Sequence, residues 1–331
     1  MFYKVIDKSA DDTIIVCSSI HTEPGRFRFE RQLNDFNVNC IFLNCPANQW
    51  YLHGIPGLGD RPKDARAALS NLIRARFPGT RLFGFGSSMG ASGIIMMTAG
   101  LPMQRVFAFC PEIDLFDDFS FSKQHYNGPS SAGANLWNEL ADCANVRIFY
   151  GEECEHDLYQ LSKIRDITSI PTQTFSNQQH GVIEAIYFTE GMSGIINSMI
   201  QASPLRPKKI APGHISGSLI TCRSLWNAFL ASRNRSHPKP DLAKLASLTQ
   251  HDRSYYPLVL YWLSRLQEVT CEKKILLEEA HQLAPLSLRI ASELFKMSPD
   301  PDRVSNFKER FKSHFGEKYA ASSRASALHA M

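Results

Sequence analysis

The stretch RLFGFGSSMGASGIIMMTAG, Arg81 to Gly100, constrains the fold of this chain more than any other segment. A short apolar run predicts a strand, a helix-capable run follows, and only Gly86-Ser87-Ser88-Met89-Gly90 separates them. Strand must therefore pass into helix with almost no loop. The glycines two residues on either side of Ser88 have a steric reason: such a turn strains the central backbone and brings neighbouring chain too close for a Cβ. Ser88 then stands exposed at the turn, and the N–H of Met89 lies at a helix N-terminus, where negative charge is stabilised. A dinucleotide loop fits poorly, because Met89 takes the place of the third glycine in G-x-G-x-x-G. No lysine follows to make a phosphate loop.

The neighbouring sequence agrees with one βαβ architecture. Through the first two hundred residues, short β-branched or aromatic runs alternate with longer mixed segments, which predicts a largely parallel sheet flanked by helices. Strands are expected over 2–6, 13–20, 39–43, 81–85, 105–109, 146–150 and 172–175. Helices are expected over 62–77, 88–99, 134–144, 157–166 and 182–201. The polar and aromatic stretch PEIDLFDDFSFSKQHYNGP, residues 111–129, follows a strand end and is expected to contribute to a lid.

The fold class is α/β, with a smaller C-terminal all-α domain. In a chain of 331 residues, positions 1–204 hold 16 Lys and Arg against 21 Asp and Glu, whereas 205–331 hold 20 against 11. The change of sign coincides with SPLRPKKIAPGHISG, residues 203–217, so the domain boundary is placed at 204/205. Beyond it the pattern is helical. Residues 274–297 resemble one tetratricopeptide-type helical hairpin with Ala280 and Pro285 at its small-residue and turn positions, and the tail AASSRASALHAM is expected to fray. A basic helical domain suits a protein partner. It lacks the dense Lys/Arg run with interleaved aromatics expected of a nucleic-acid surface.

The remaining composition narrows the setting. Eight scattered cysteines without a CxxC pair read as buried free thiols of a reducing compartment. No run reaches the roughly 18 apolar residues of a membrane span, and the N-terminus lacks a secretory pattern, so a cytoplasmic protein is expected. No HExxH is present, adjacent Cys154, Glu155 and His156 converge poorly on one ion, and no metal or cofactor is expected.

A serine nucleophile needs a base, and the base needs an orienting carboxylate. The expected strand VRIFY opens through Gly151 into EECEHD, which offers Glu152, Glu153, Glu155 and Asp157. The strand TQTFS opens into NQQHG and places His180 in a loop ahead of a helix. Both groups follow strand ends, where open α/β sheets bind ligands. The chain order Ser, acid, His is the one that goes with a G-x-S-x-G elbow. His156 lies beside the acid loop and serves poorly as the base. Asp157 is favoured over Glu153 as the acid, with Glu153 nearer the usual distance from the strand-ending glycine.

These motifs resemble the α/β-hydrolase superfamily. More narrowly, Trp50-Tyr51-Leu52-His53-Gly54-Ile55-Pro56-Gly57, the Gly86 to Gly90 elbow and Tyr150-Gly151 with trailing Asp157 resemble a bacterial group of serine hydrolases associated with surface-polysaccharide loci. The chain departs from the usual pattern after its early strand, where IIVCSSIHTEPG replaces an HG or HGGG segment. The oxyanion donors are then the N–H of Met89 with that of Ser19 or Ile20. Trp50 and Tyr51 are either core aromatics or walls of the substrate site. The resemblance implies a carboxylic-ester hydrolase acting through an acyl-enzyme on a small-molecule or glycan ester. The alternatives are an acyltransferase to a carbohydrate hydroxyl and a non-catalytic assembly factor acting through the C-terminal helices.

Overall fold

All seven expected strands form, and they belong to one sheet of order β1-β3-β2-β4-β5-β6-β7. This computed structural model describes residues 1–117, 120–128, 133–213, 227–231, 256–321, 328 and 331. The strands are β1 (Tyr3–Ile6), β2 (Asp12–Cys17), β3 (Asn39–Leu43), β4 (Arg81–Ser87), β5 (Met103–Phe109), β6 (Val146–Gly151) and β7 (Thr172–Phe175). The edge strand β1 runs antiparallel to β3, while β3, β2, β4, β5 and β6 pair in parallel. Ile148 N–H donates to Pro171 O and Glu152 N–H to Phe175 O, an advance of four residues on both sides that makes β7 parallel to β6. Strands covered on both faces need no polar alternation. Accordingly β3 reads NCIFL with every residue buried, and β2 is buried from Thr13 to Cys17.

The helices are α1 (Glu30–Leu33), α2 (Pro62–Arg76), α3 (Met89–Thr98), α4 (Phe121–His125), α5 (Trp137–Asp142), α6 (Glu155–Ile167), α7 (Val182–Glu190) and α8 (Ser193–Ile200). They continue with α9 (Tyr256–Leu266), α10 (Thr270–Leu283), α11 (Leu288–Met297), α12 (Pro301–Phe315) and α13 (Glu317–Ala320). Helix α2 starts at Pro62, whose missing N–H costs nothing at a first turn, and buries Ala65, Leu69 and Ile73 on one face. Helix α3 is apolar all round and all ten of its residues are buried. The expected single helix over 182–201 is two, because Gly191 at φ 77 breaks it. The expected strand over 13–20 stops at Cys17, where the Tyr51 hydroxyl donates to the carbonyls of Ser18 and Leu43 at 2.9 and 3.1 Å.

Two compact units divide the chain. The first comprises Met1–Phe149, Ser169–Thr172 and Met192–Leu205, and the second Tyr150–Thr168, Gln173–Gly191 and Arg206–Met331. One change of unit falls at Leu205/Arg206, and the segments holding Asp157 and His180 group with the C-terminal helices. In the first unit the 111–129 segment, described except at 118, 119 and 129, is folded down: the Glu112 carboxylate accepts the Ser122 N–H at 2.9 Å and Ser92 Oγ donates to Glu112 O at 2.8 Å. In the second, α10 and α11 are successive helices separated by residues 284–287, and Phe307, Phe311, Phe315 and Tyr319 follow one another at four-residue spacing with ring centroids 4.6 to 5.9 Å apart. Most of the tail from 320 to 331 lies outside the described residues, as does Cys222. Among the described residues no helix is long and apolar enough to cross a membrane.

Candidate active site

Ser88 occupies the turn between β4 and α3 at φ 56 and ψ −127, and it is 7% exposed. Left-handed φ in a non-glycine residue costs about 1–3 kcal/mol and persists only where surrounding contacts enforce it. Here the enforcement is visible. The Ser88 N–H donates to Phe109 O at 2.8 Å, a Cβ on Gly86 would stand 2.1 Å from Gly90 O, and one on Gly90 would stand 2.4 Å from Cys17 O. Both motif glycines are thus required by backbone contact. A serine in a strained strand-to-helix turn, central in a parallel sheet of this order, decides the architecture. The fold is α/β-hydrolase-like, a mostly parallel sheet flanked by helices.

The chain is similar to solved structures that include the following three, compared by identity, share of each chain covered and TM-score. A capsule O-acetyltransferase of Neisseria meningitidis serogroup A is 15% identical, with 56% of this chain and 87% of that one covered at a TM-score of 0.41. For an esterase of Pyrococcus furiosus the values are 14%, 60%, 84% and 0.43. For an α/β serine hydrolase of Xanthomonas campestris they are 15%, 62%, 89% and 0.36. No family model matches the chain, and no curated protein does.

Within the α/β-hydrolase fold, Met89 opens α3, so its N–H has no carbonyl one turn back to receive it. The Cys17–Ser18 backbone lies against Gly90, which brings the start of the Ser19–Ile20 segment alongside the elbow. The Ser18 carbonyl accepts from Tyr51, so the N–H of the same trans peptide, that of Ser19, points the opposite way. Trp50 and Tyr51 are both 0% exposed and both at positive φ, 49 and 60. Tyr51 acts as a support: its hydroxyl ties the ends of β2 and β3 together, and its ring fills the space that a Cβ on Gly93 of α3 would enter.

The second unit holds Asp157 and His180. Asp157, 2% exposed, sits in the first turn of α6, and its Oδ1 lies 2.7 Å from His180 Nδ1. Its Oδ2 accepts the Gly151 N–H at 3.4 Å. Gly151 must lack a Cβ because the carbonyls of Gln178 and Gln179 would lie within 2.4 Å of it. That contact lets the histidine loop cross the end of β6.

Glu153 is engaged elsewhere: Ser287 Oγ donates to its Oε1, Arg289 Nη1 donates to its carbonyl, and its own N–H donates to Gln178 O at 2.9 Å. Burial pushes the Glu153 carboxyl above the ordinary range, against the pull of Ser287 and Arg289. Glu152 accepts from Thr174 Oγ1 at 2.7 Å. The structure therefore brings Asp157 to His180 and ties Glu152 and Glu153 into supporting contacts. Nδ1–H directed at a carboxylate fixes the imidazole tautomer that leaves Nε2 as the basic nitrogen.

Among the described residues, two of this unit's cavities border the loops that follow β6 and β7. The larger, about 270 Å³, is lined by Glu152, Asn177, Leu258, Pro285 and Ile290 among others, without His180. The smaller, about 130 Å³, is lined by His180, Gln178, Gln179, Phe311, Phe315 and Tyr319, together with Glu153, Asn177, Gly181 and Leu288. The sequence reading missed Gln178, Gln179 and the three aromatics. The four-residue spacing of 307, 311, 315 and 319 was the available signal, and by itself it indicates only a packed helix face.

Proposed function

We propose that this protein is a serine hydrolase that cleaves a carboxylic ester through an acyl-enzyme. Ser88 Oγ attacks the ester carbonyl as its proton passes to His180 Nε2, and the N–H groups of Met89 and Ser19 or Ile20 receive the developing oxyanion. The bond to the alcohol oxygen then breaks and His180 returns the proton to that oxygen. Water, deprotonated by His180, attacks the acyl carbon and releases the acid and free Ser88. Asp157 holds the imidazole and stabilises its charged form. The observation that carries the reading is the 2.7 Å contact of His180 Nδ1 with Asp157, two residues that follow the ends of successive strands. The strained Ser88 turn supports it from the other unit.

The acylated glycan belongs to the same reading through the resemblance alone. Transfer to a carbohydrate hydroxyl uses identical chemistry at Ser88, with the sugar oxygen attacking in place of water. Ser88→Ala is expected to abolish turnover of short p-nitrophenyl esters and labelling by a fluorophosphonate; normal labelling of that variant overturns the assignment. Product analysis with and without added sugar separates hydrolysis from transfer.

A further inference from the structure

We infer that Arg289, in the C-terminal helices, is a positioning residue for the Asp157–His180 pair, because it holds the backbone of Glu153, from which both members of the pair are placed. Its kinetic consequence rests on the serine-hydrolase reading. All of these residues belong to the second unit. Glu153 is where two loops are joined. Along the chain it stands one residue before Cys154, the N-cap of α6, and Asp157 lies in the first turn of that helix. Across the loops its N–H donates to Gln178 O at 2.9 Å, two residues ahead of His180, and the Glu152 N–H donates to Phe175 O at 3.2 Å. A shift of the Glu153 backbone therefore moves both the start of α6 and the approach to His180. The 2.7 Å contact of His180 Nδ1 with Asp157 Oδ1 tolerates little of that.

What fixes Glu153 comes from the start of α11. Ser287 Oγ donates to its Oε1 and Arg289 Nη1 to its carbonyl. Arg289 is itself anchored: its Nε donates to Tyr261 Oη at 2.9 Å, and its guanidinium lies over the rings of Tyr261 and Trp262, 4.9 and 5.3 Å from their centroids. A guanidinium is a rigid plane with several N–H donors, so one side chain ties α9 to the Glu153 carbonyl with no loose joint between them.

Helix stability does not account for this arginine. Arg289 is the second residue of α11, at the positive end of the macrodipole, where a cation is disfavoured. Its bond to Glu153 O is spent on the turn after β6 instead. Tyr319 Oη donates to Gln178 Oε1 at 3.4 Å, so the histidine loop is held from the C-terminal helices at a second point. These helices thus keep the turn after β6 and the loop after β7 in one frame, with Arg289 as the link to the Glu153 backbone.

The test uses the full-length protein and the p-nitrophenyl ester it turns over fastest. Arg289→Lys keeps the charge, but an ammonium cannot serve Tyr261 Oη and Glu153 O from one rigid plane. It is expected to lower kcat about tenfold or more with KM within about twofold, since small misplacements of catalytic groups cost rate more than binding. Leu277→Ala is the control: it removes a fully buried side chain of α10 and loosens the helices through the cavity left behind, yet takes no donor from Glu153. At a temperature where both variants are folded it should keep kcat within about twofold. Where Arg289→Lys does not fold, Tyr261→Phe gives the same test, because it keeps the ring under the guanidinium and removes only the acceptor of Nε. Spectra of the protein labelled with ¹⁵N-histidine supply a readout that needs no turnover. His180, identified by its absence in His180→Gln, should carry its proton on Nδ1 in the unmodified protein, and the Nε2-protonated form should appear in Arg289→Lys and Tyr261→Phe. Unchanged kcat in these variants, a loss in Leu277→Ala at least as large, or His180 protonated on Nδ1 throughout overturns the inference. Absence of ester turnover in the unmodified protein overturns the serine-hydrolase reading, and the spectra then decide the positioning role alone.

Discussion

His180 Nδ1 and Asp157 Oδ1 stand 2.7 Å apart, although 23 positions separate the two residues in the chain. The contact fixes a tautomer only while the carboxylate accepts. Asparagine in place of Asp157 preserves the shape but presents an amide that can donate, and the imidazole then turns its basic nitrogen inward. Asp157→Asn is expected to lower kcat/KM by about 10³–10⁴-fold. Glu153→Gln keeps an acceptor for Ser287 and is expected to cost far less. Steady-state kinetics on both variants checks the assignment, and a larger loss in Glu153→Gln would transfer the acid role to that residue.

Glu153 also makes a prediction about pH. Its carboxyl is raised above the ordinary 4.5 by burial, so the folded protein resists an ionisation that the unfolded chain accepts freely. Stability from this group is fully present below pH 4.5 and is lost as pH climbs from there through the raised value. Glutamine carries no such dependence. The Tm of Glu153→Gln minus that of the unmodified protein should therefore increase as pH rises above 4.5 and then level off. A difference that is flat or falls with pH contradicts the buried, proton-holding carboxyl.

Much of this was legible in the chain because the decisive features are local. The strand, turn and helix around Ser88 are encoded in five residues, and both flanking glycines meet backbone that no side chain could share. Likewise β2, β3 and β4 announce themselves as β-branched and aromatic runs because both of their faces are covered. The helix break at Gly191 was missed because an isolated glycine is tolerated inside helical patterns, and only its positive φ makes it a stop. Tyr51 was ambiguous because an aromatic residue among glycines suits a core and a binding wall equally. Its hydroxyl contacts with Ser18 and Leu43 come from tertiary structure. The cavity beside His180 was illegible for the same reason, since Gln179 and Tyr319 lie 140 positions apart.

The backbone beside the elbow depends on two supports that substitution can remove separately. Tyr51→Phe leaves the buried carbonyls of Ser18 and Leu43 without their shared donor and is expected to lower stability by about 1–3 kcal/mol in a denaturant titration. Gly90→Ala drives a methyl group to 2.4 Å from Cys17 O, which forces α3 away from the end of β2. Ester turnover in Gly90→Ala is expected to fall by more than tenfold even where the protein folds. Unchanged turnover there would separate the Ser18–Ile20 segment from any part in holding the oxyanion.

Thiol reactivity offers a test of the core that involves no catalysis. Cys17, Cys40, Cys45, Cys110, Cys143 and Cys154 are buried and Cys271 is exposed, which corrects the expectation that all the thiols lie inside. Burial raises Cys40 and Cys143 to about 11 and Cys45 to about 12, and it pushes Cys17 and Cys154 higher than the ordinary thiol as well. At pH 8 the thiolate fraction at the first three is then on the order of 10⁻³ to 10⁻⁴, and the thiolate is the reacting form. In a Cys222→Ser background, native protein should react promptly with dithiobis(nitrobenzoate) at one thiol per chain, identified as Cys271 by peptide mass, and at all seven after unfolding in guanidinium. Prompt reaction at Cys17 or Cys45 in the native protein would mean that the β2 and β3 ends beneath the elbow open to solvent, and the Tyr51 support would have to be abandoned.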